Sequence, residues 1–162
     1  MAEAIVSYAA EKGLNLTASE AFQAIPGKGI EAKINGKNVT VGTRSLMKQR
    51  SVNYQTVEEE VQRFEADGKT AMLIAIDYDL KGVIAVADTI KDTTIEAIEQ
   101  LQSQDLEVIM LTGDNERTAE AIAKQVGISQ VIAKVLPKQK AEKVKMVQQQ
   151  GKQVPMVGDG IN

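Results

Sequence analysis

"VIMLTGDN", residues 108 to 115, decides the fold. The apolar run Glu107 to Leu111 reads as a strand. Thr112 and Gly113 interrupt it, and Asp114 stands at its carboxyl end, just ahead of a helix from Glu116 to Val126 that closes on Gly127. A strand that delivers a hydroxyl, a glycine and a carboxylate to the loop before a helix is the working unit of an open α/β sheet, whose ligands bind outside the carboxyl ends of the strands.

The alternation continues on either side. Val131 to Ala133 reads as a short strand, Lys138 to Gln150 as a helix closed by Gly151, and Val154 to Val157 as another strand. Upstream, Thr93-Thr94-Ile95-Glu96 has the form of a capping box, opening a helix with Ile95, Ile98 and Leu101 inward. This half predicts a parallel sheet with helices on both faces.

The first half follows a different pattern. Ala2 to Lys12 is helical before Gly13. Ile30, Ala32 and Ile34 then alternate with polar residues, Asn35-Gly36 supplies a tight turn, and Val39 and Val41 resume the alternation, which predicts a β-hairpin. Thr43 to Arg50 and Thr56 to Ala66 read as helices, and Thr70 to Ile76 and Leu80 to Ala87 as a second hairpin across Asp77-Tyr78-Asp79. The expected architecture is an α/β parallel-sheet domain joined to a smaller α+β domain with an antiparallel sheet. The boundary falls near residues 80 to 88, giving domains 1–84 and 85–162.

Composition narrows the chemistry. The 162 residues are 43% hydrophobic and 25% charged with net charge −3, so nothing favours nucleic acid as a partner, and a monomer is the expected state. Cysteine and histidine are absent, which excludes thiol nucleophiles, imidazole bases and Cys/His zinc sites. Carboxylates, lysines, hydroxyls and backbone amides remain, with an oxygen-ligated metal. No apolar run approaches the ~18 residues of a membrane span, so this portion is expected on the cytoplasmic side.

Three acidic residues follow apolar runs: Asp88, Asp114 and Asp159. Carboxylates gathered at strand ends suit a hard cation, most naturally Mg²⁺ escorting a phosphate; the competing reading is that each Asp caps the next helix. Thr112 and Gly113 offer a hydroxyl and an amide to a phosphate oxygen, and Lys140, one turn past Pro137, could neutralise it. Gly27 and Gly29 enter the first hairpin and Gly42 ends it, leaving backbone open where a flat ligand could lie; ordinary turn duty is the alternative. Gly27 to Ala32 fits G-x-G-x-x-A, but a strand follows rather than a helix, so no dinucleotide fingerprint is formed.

"MLTGDN" at Met110 to Asn115, "LPKQK" at Leu136 to Lys140 and "VGDGIN" at Val157 to Asn162 together resemble the phosphorylation domain of P-type ATPases, themselves haloacid-dehalogenase-like proteins. "PGKGIEAKINGKNVTVGT", from Pro26 to Thr43, is similar to the nucleotide-binding domain of the heavy-metal branch. The resemblance implies that Thr112, Gly113 and Lys140 hold an aspartyl phosphate, that Asp159 binds Mg²⁺ and that Asn162 assists at the phosphate. It also implies that Asp114 lies near the nucleotide and the interdomain hinge, and that Gly27, Gly29 and Gly42 shape an ATP pocket. Two motifs of the family have no match here: the Asp-Lys-Thr-Gly-Thr segment carrying the phosphorylated aspartate, and the Ser-Glu-His-Pro segment that contacts adenine. The expectation is therefore an excerpt of an ATP-driven exporter in the cell membrane, with Cu⁺ as the transported heavy-metal ion bound in the membrane domain of the same parent chain. A soluble phosphatase and a non-catalytic nucleotide-binding module are the alternatives.

Overall fold

The computed structural model describes residues 2–158. Helix α1 (Ala2–Glu11) ends ahead of Gly13, which takes the left-handed conformation at φ 68°. Five strands follow in an antiparallel meander, each beside the next: β1 (Ala21–Ile25), β2 (Gly29–Ile34), β3 (Lys37–Gly42), β4 (Thr70–Ile76) and β5 (Asp79–Val86). Both tight turns expected from the sequence are present, with φ of 51° and 74° at Asn35 and Gly36 and of 49° and 68° at Asp77 and Tyr78. Positive φ at two successive turn residues gives the twist that closes a two-residue hairpin.

Strand β1 was not foreseen, because "AFQAI" between Glu20 and Pro26 has only two strongly strand-forming residues. Its pairing comes from β2, with Phe22 opposite Ala32 and Ile25 opposite Gly29.

One face of this sheet carries Leu73, Ala75, Leu80 and Val83. Helices α2 (Arg44–Gln49) and α3 (Glu58–Ala66) lie against it and complete a core of Met47, Val52, Val61, Leu73 and Ala75. Val61 is buried as its place on the apolar stripe requires. Glu65, one turn later on the same stripe, is buried too, at 2% exposure. Arg44 resolves the conflict: its guanidinium donates to Glu65 Oε1 at 2.5 Å and Oε2 at 3.0 Å, and to both oxygens of Glu58 at 2.8 and 3.0 Å. A buried carboxylate persists only when paired and hydrogen-bonded in this way.

A second pair, Arg50 with Glu31, ties α2 to β2. The hydrogen bonds from Arg44 and Arg50 hold the carboxyls of Glu58 and Glu31 below the ordinary glutamate range. A depressed pKa in the folded state stabilises above the unfolded value and loses that contribution as pH falls through the folded one. The urea midpoint is thus expected to be flat from neutral pH to pH 6 and to fall steadily below about pH 4.3. Arg50→Ala should reduce the acid-sensitive part, and an acid limb unaffected by that change would argue against the Glu31 pairing.

Beyond β5 the chain forms a different layer, with α4 (Asp92–Ser103), β6 (Ile109–Leu111), α5 (Glu116–Val126), β7 (Gln130–Ile132), a 3-10 turn at Pro137–Gln139 and α6 (Lys140–Gln148). Strands β6 and β7 are parallel, as expected of the second half, with Met110 opposite Val131. Three expectations are corrected. Helix α4 starts at Asp92 with Lys91 as its cap and no side-chain capping bond, so Thr93 to Glu96 is helix interior rather than a capping box. Val154 to Val157 forms no strand: a cavity of about 540 Å³, lined by Ile109, Leu111, Val144, Val154 and Met156 among others, lies between it and β6, and Val157 is 92% exposed. Asp88 follows a strand of the antiparallel sheet rather than of the parallel one, so Asp88 and Asp114 do not issue from a common sheet.

Candidate active site

The loops after β6 and β7 are bound to each other by backbone hydrogen bonds. Thr112 N donates to Ile132 O at 3.0 Å, Lys134 N to Asp114 O at 2.8 Å and Val135 N to Thr112 O at 3.0 Å. Gly113 sits inside this clasp, where an added Cβ would lie 3.3 Å from Val135 O, tighter than most real contacts allow. The Thr112 hydroxyl donates to Asp114 Oδ2 at 2.8 Å and accepts from Asp114 N at 3.2 Å. Asp114 is thereby engaged within its own loop. The helix cap is Asn115, whose side-chain oxygen accepts from Thr118 N at 3.1 Å, so the capping role weighed for Asp114 belongs to its neighbour.

Lys140 opens α6 one turn after Pro137, as expected. It lines the cavity beside β6 together with Lys143, Gly158 and the apolar residues from both sides, and it makes no ion pair among the described residues. Asp159 and Asn162 lie outside the described residues. No group of three acidic side chains that could hold a metal ion occurs among the described residues.

The glycines divide by role. Gly27, at φ 70°, forms the β1–β2 turn, and its open side faces the other layer: a Cβ there would come within 3.1 Å of Leu136 Cδ2. The turn at the head of the antiparallel sheet thus rests on the first residue of the Leu136 to Lys140 segment. Gly29 and Gly42 instead face each other across β2 and β3, and the space a side chain would need is filled by backbone. Leu136 itself was not anticipated from the sequence. The signal available was its place, an apolar residue immediately before a proline-led helix start.

The sequence profile of haloacid dehalogenase-like hydrolases matches residues 1–162. The chain belongs to that family. Within it, the haloacid dehalogenase-like chain is 54% identical over 163 residues to a copper-exporting P-type ATPase of Staphylococcus aureus strain JH9, a match covering all of this chain and 20% of the relative. The protein of the same name from strain Newman matches at the same identity and coverage. The chain thus spans about a fifth of the length of the curated relatives it matches. A zinc-transporting PIB-type ATPase in its E2.Pi state superimposes at TM-score 0.55 with 31% identity, over 92% of this chain and 24% of that one. The catalytic domain of the CPx-ATPase CopB-B, 23% identical, shares the fold at TM-score 0.67 over 99% of this chain and 55% of that one.

Proposed function

We propose that this haloacid dehalogenase-like chain is the ATP-binding and phosphorylation portion of an ATP-driven exporter of a heavy-metal ion, Cu⁺ in the first instance, facing the cytoplasm from a parent protein anchored in the membrane. The observation that carries the reading is the contact of the Gly27 turn with Leu136. It puts the glycine-rich hairpin, the candidate nucleotide cradle, against the segment that ends in Lys140. Phosphoryl transfer demands chiefly positioning and charge neutralisation, and the residues here are suited to both. The Thr112 hydroxyl and Gly113 amide would hold phosphoryl oxygens, and the ammonium of Lys140 would balance their charge. Bound Mg²⁺ would share the negative charge of the phosphates. The two-domain division, drawn at 84/85, is supported by the change from antiparallel to parallel pairing; keeping β5 whole with the first domain carries the boundary to just past Val86.

The acceptor aspartate would come from a further segment of the longer chain. One edge of β6 has no partner among the described residues, and the cavity lined by Ile109, Leu111 and Val154 to Val157 lies beside that strand. An extended segment placed there could pair with β6, and its carboxyl end would meet Thr112 and Lys140.

The test compares this chain with a longer one that adds the Asp-Lys-Thr-Gly-Thr segment, each incubated with γ-labelled ATP. Residues 1–162 alone are expected to take up no acid-stable label, and the longer chain to take it up with a rate reduced about 10²–10³-fold by Lys140→Gln. Label on residues 1–162, or a longer chain indifferent to Lys140→Gln, would overturn the reading. Nucleotide binding to the short chain is expected to be weak, with amide shifts on ATP titration around Gly27 and Leu136. Shifts confined to Thr112 and its neighbours would move the nucleotide to the other layer.

A further inference from the structure

Helix α5 leaves the Thr112 to Asn115 loop and packs on the carboxyl end of α3 and the turn into β4. Thr118, fully buried, donates its hydroxyl to Lys69 O at 2.9 Å and accepts from Asn115 Nδ2 at 2.7 Å. Gly68, at φ 76°, lets the α5 surface approach: a Cβ there would lie 3.3 Å from Gln125 Nε2 and 3.4 Å from Ile122 Cγ1. At the rim, Arg117 Nη1 reaches Glu65 Oε2 at 3.4 Å. Glu65 is therefore shared by two cations, one from each layer.

The two cations are not equivalent. Arg44 belongs to the same layer as Glu65 and holds both of its oxygens at 2.5 and 3.0 Å, whereas Arg117 makes one longer contact from a side chain that is 53% exposed. A buried carboxylate whose sole partner lay across the junction would fasten the layers together, because parting them would leave an uncompensated charge in the interior. Here Arg44 keeps Glu65 neutralised whether or not Arg117 is present. Parting forfeits a half-exposed ion pair, one hydroxyl bond whose groups can turn to water and the packing of Gly68 against Ile122 and Gln125, but it strands no buried charge.

We infer that the α3–α5 junction is a releasable latch between the antiparallel sheet and the β6–β7 layer, with Arg117 as its moving element and Arg44 as the group that keeps Glu65 satisfied when the latch is open. Asn115 both caps α5 and bonds Thr118, so closing the latch fixes the Thr112 to Asp114 loop relative to Lys69. The inference stands on this geometry and is independent of the reaction assigned above.

The chain has no cysteine, so a pair introduced as Glu59→Cys on α3 and Lys124→Cys on α5 can be spin-labelled uniquely. A single narrow interlabel distance is expected at low ionic strength, broadening toward longer distances near 1 M salt, where the screening length falls to about 3 Å. Arg117→Glu, which sets a carboxylate against Glu58 and Glu65, should give the long, broad distribution already at low salt, and Arg117→Lys should restore the narrow one. Thr118→Val should fall between. A narrow wild-type distance retained in Arg117→Glu, or a wild-type distribution already broad at low salt, would overturn the latch. If Arg117→Glu does not fold, Arg117→Ala decides by the same criterion.

Discussion

A Gly29→Val protein is expected to melt about 10 °C below the wild type, with the loss arising in the sheet whether or not nucleotide is present. Gly29 sits at φ 144°, in a region closed to side-chain-bearing residues, and a Cβ there would stand 2.2 Å from Val41 O and 2.6 Å from Gly42 Cα. These are backbone atoms of the neighbouring strand, held by the pairing of Gly29 with Gly42, so no rotamer change relieves the clash. Strained backbone and overpacking contribute on the order of 1–3 kcal/mol each. For a chain of this size each kcal/mol moves the midpoint by about 2–4 °C. A side chain at Gly42 meets a comparable obstacle, since a Cβ there would lie 2.2 Å from Lys28 O. Gly36 is the control: it has positive φ but nothing within 4 Å, so Gly36→Ala should lose only the conformational term, about 1 kcal/mol. Thermal unfolding followed by circular dichroism distinguishes the cases. A Gly29→Val protein melting with the wild type would mean the two strands do not approach this closely.

That result bears on how the sequence can be read. Gly27 and Gly29 look alike as letters, two turn glycines at the mouth of a hairpin, and reading both as room for a ligand treats them as one feature. The structure separates them by what lies across from each: a side chain from the other layer for Gly27, paired backbone for Gly29. Features specified locally were legible. Asn35-Gly36 fixes its turn through its own backbone preferences, and the Thr112 to Asn115 loop follows from a strand meeting a helix start. Features specified by a partner were not. Strand β1 depends on β2, and the apolar run at Val154 to Val157 is a strand only when something pairs with it. Glu65 could have been noticed, because an acid one turn beyond Val61 on an apolar stripe requires a cation; which cation, Arg44 some twenty residues earlier, is a tertiary fact. Among the candidate site residues, Thr112, Gly113 and Asp114 are joined in one clasp, with Gly27 and the Lys140 segment meeting through Leu136. Gly29 and Gly42 are tied to each other by strand packing.

Arg44→Met is expected to destabilise the fold by about 3–5 kcal/mol, the loss seen when one partner of a buried ion pair is removed. Methionine covers the apolar part of the arginine stem, so the effect isolates the guanidinium. Without it Glu65, at 2% exposure, keeps only the 3.4 Å contact from Arg117, and Glu58 loses the hydrogen bonds that hold its carboxyl below the ordinary glutamate range. The second change that should rescue the fold follows from the same physics. Replacing a buried pair by apolar residues of similar volume is often neutral, so Arg44→Met combined with Glu65→Leu should recover most of the loss, although Glu65→Leu and Arg44→Met each destabilise alone. The coupling energy of this double-mutant cycle, read from urea midpoints at constant slope, is expected to exceed 1 kcal/mol, which is about the limit for exposed pairs. A single variant within about 1 kcal/mol of the wild type, or a cycle with no coupling, would mean that the Arg44–Glu65 pair is solvated and that α3 is held against the sheet by Val61 and its apolar neighbours alone.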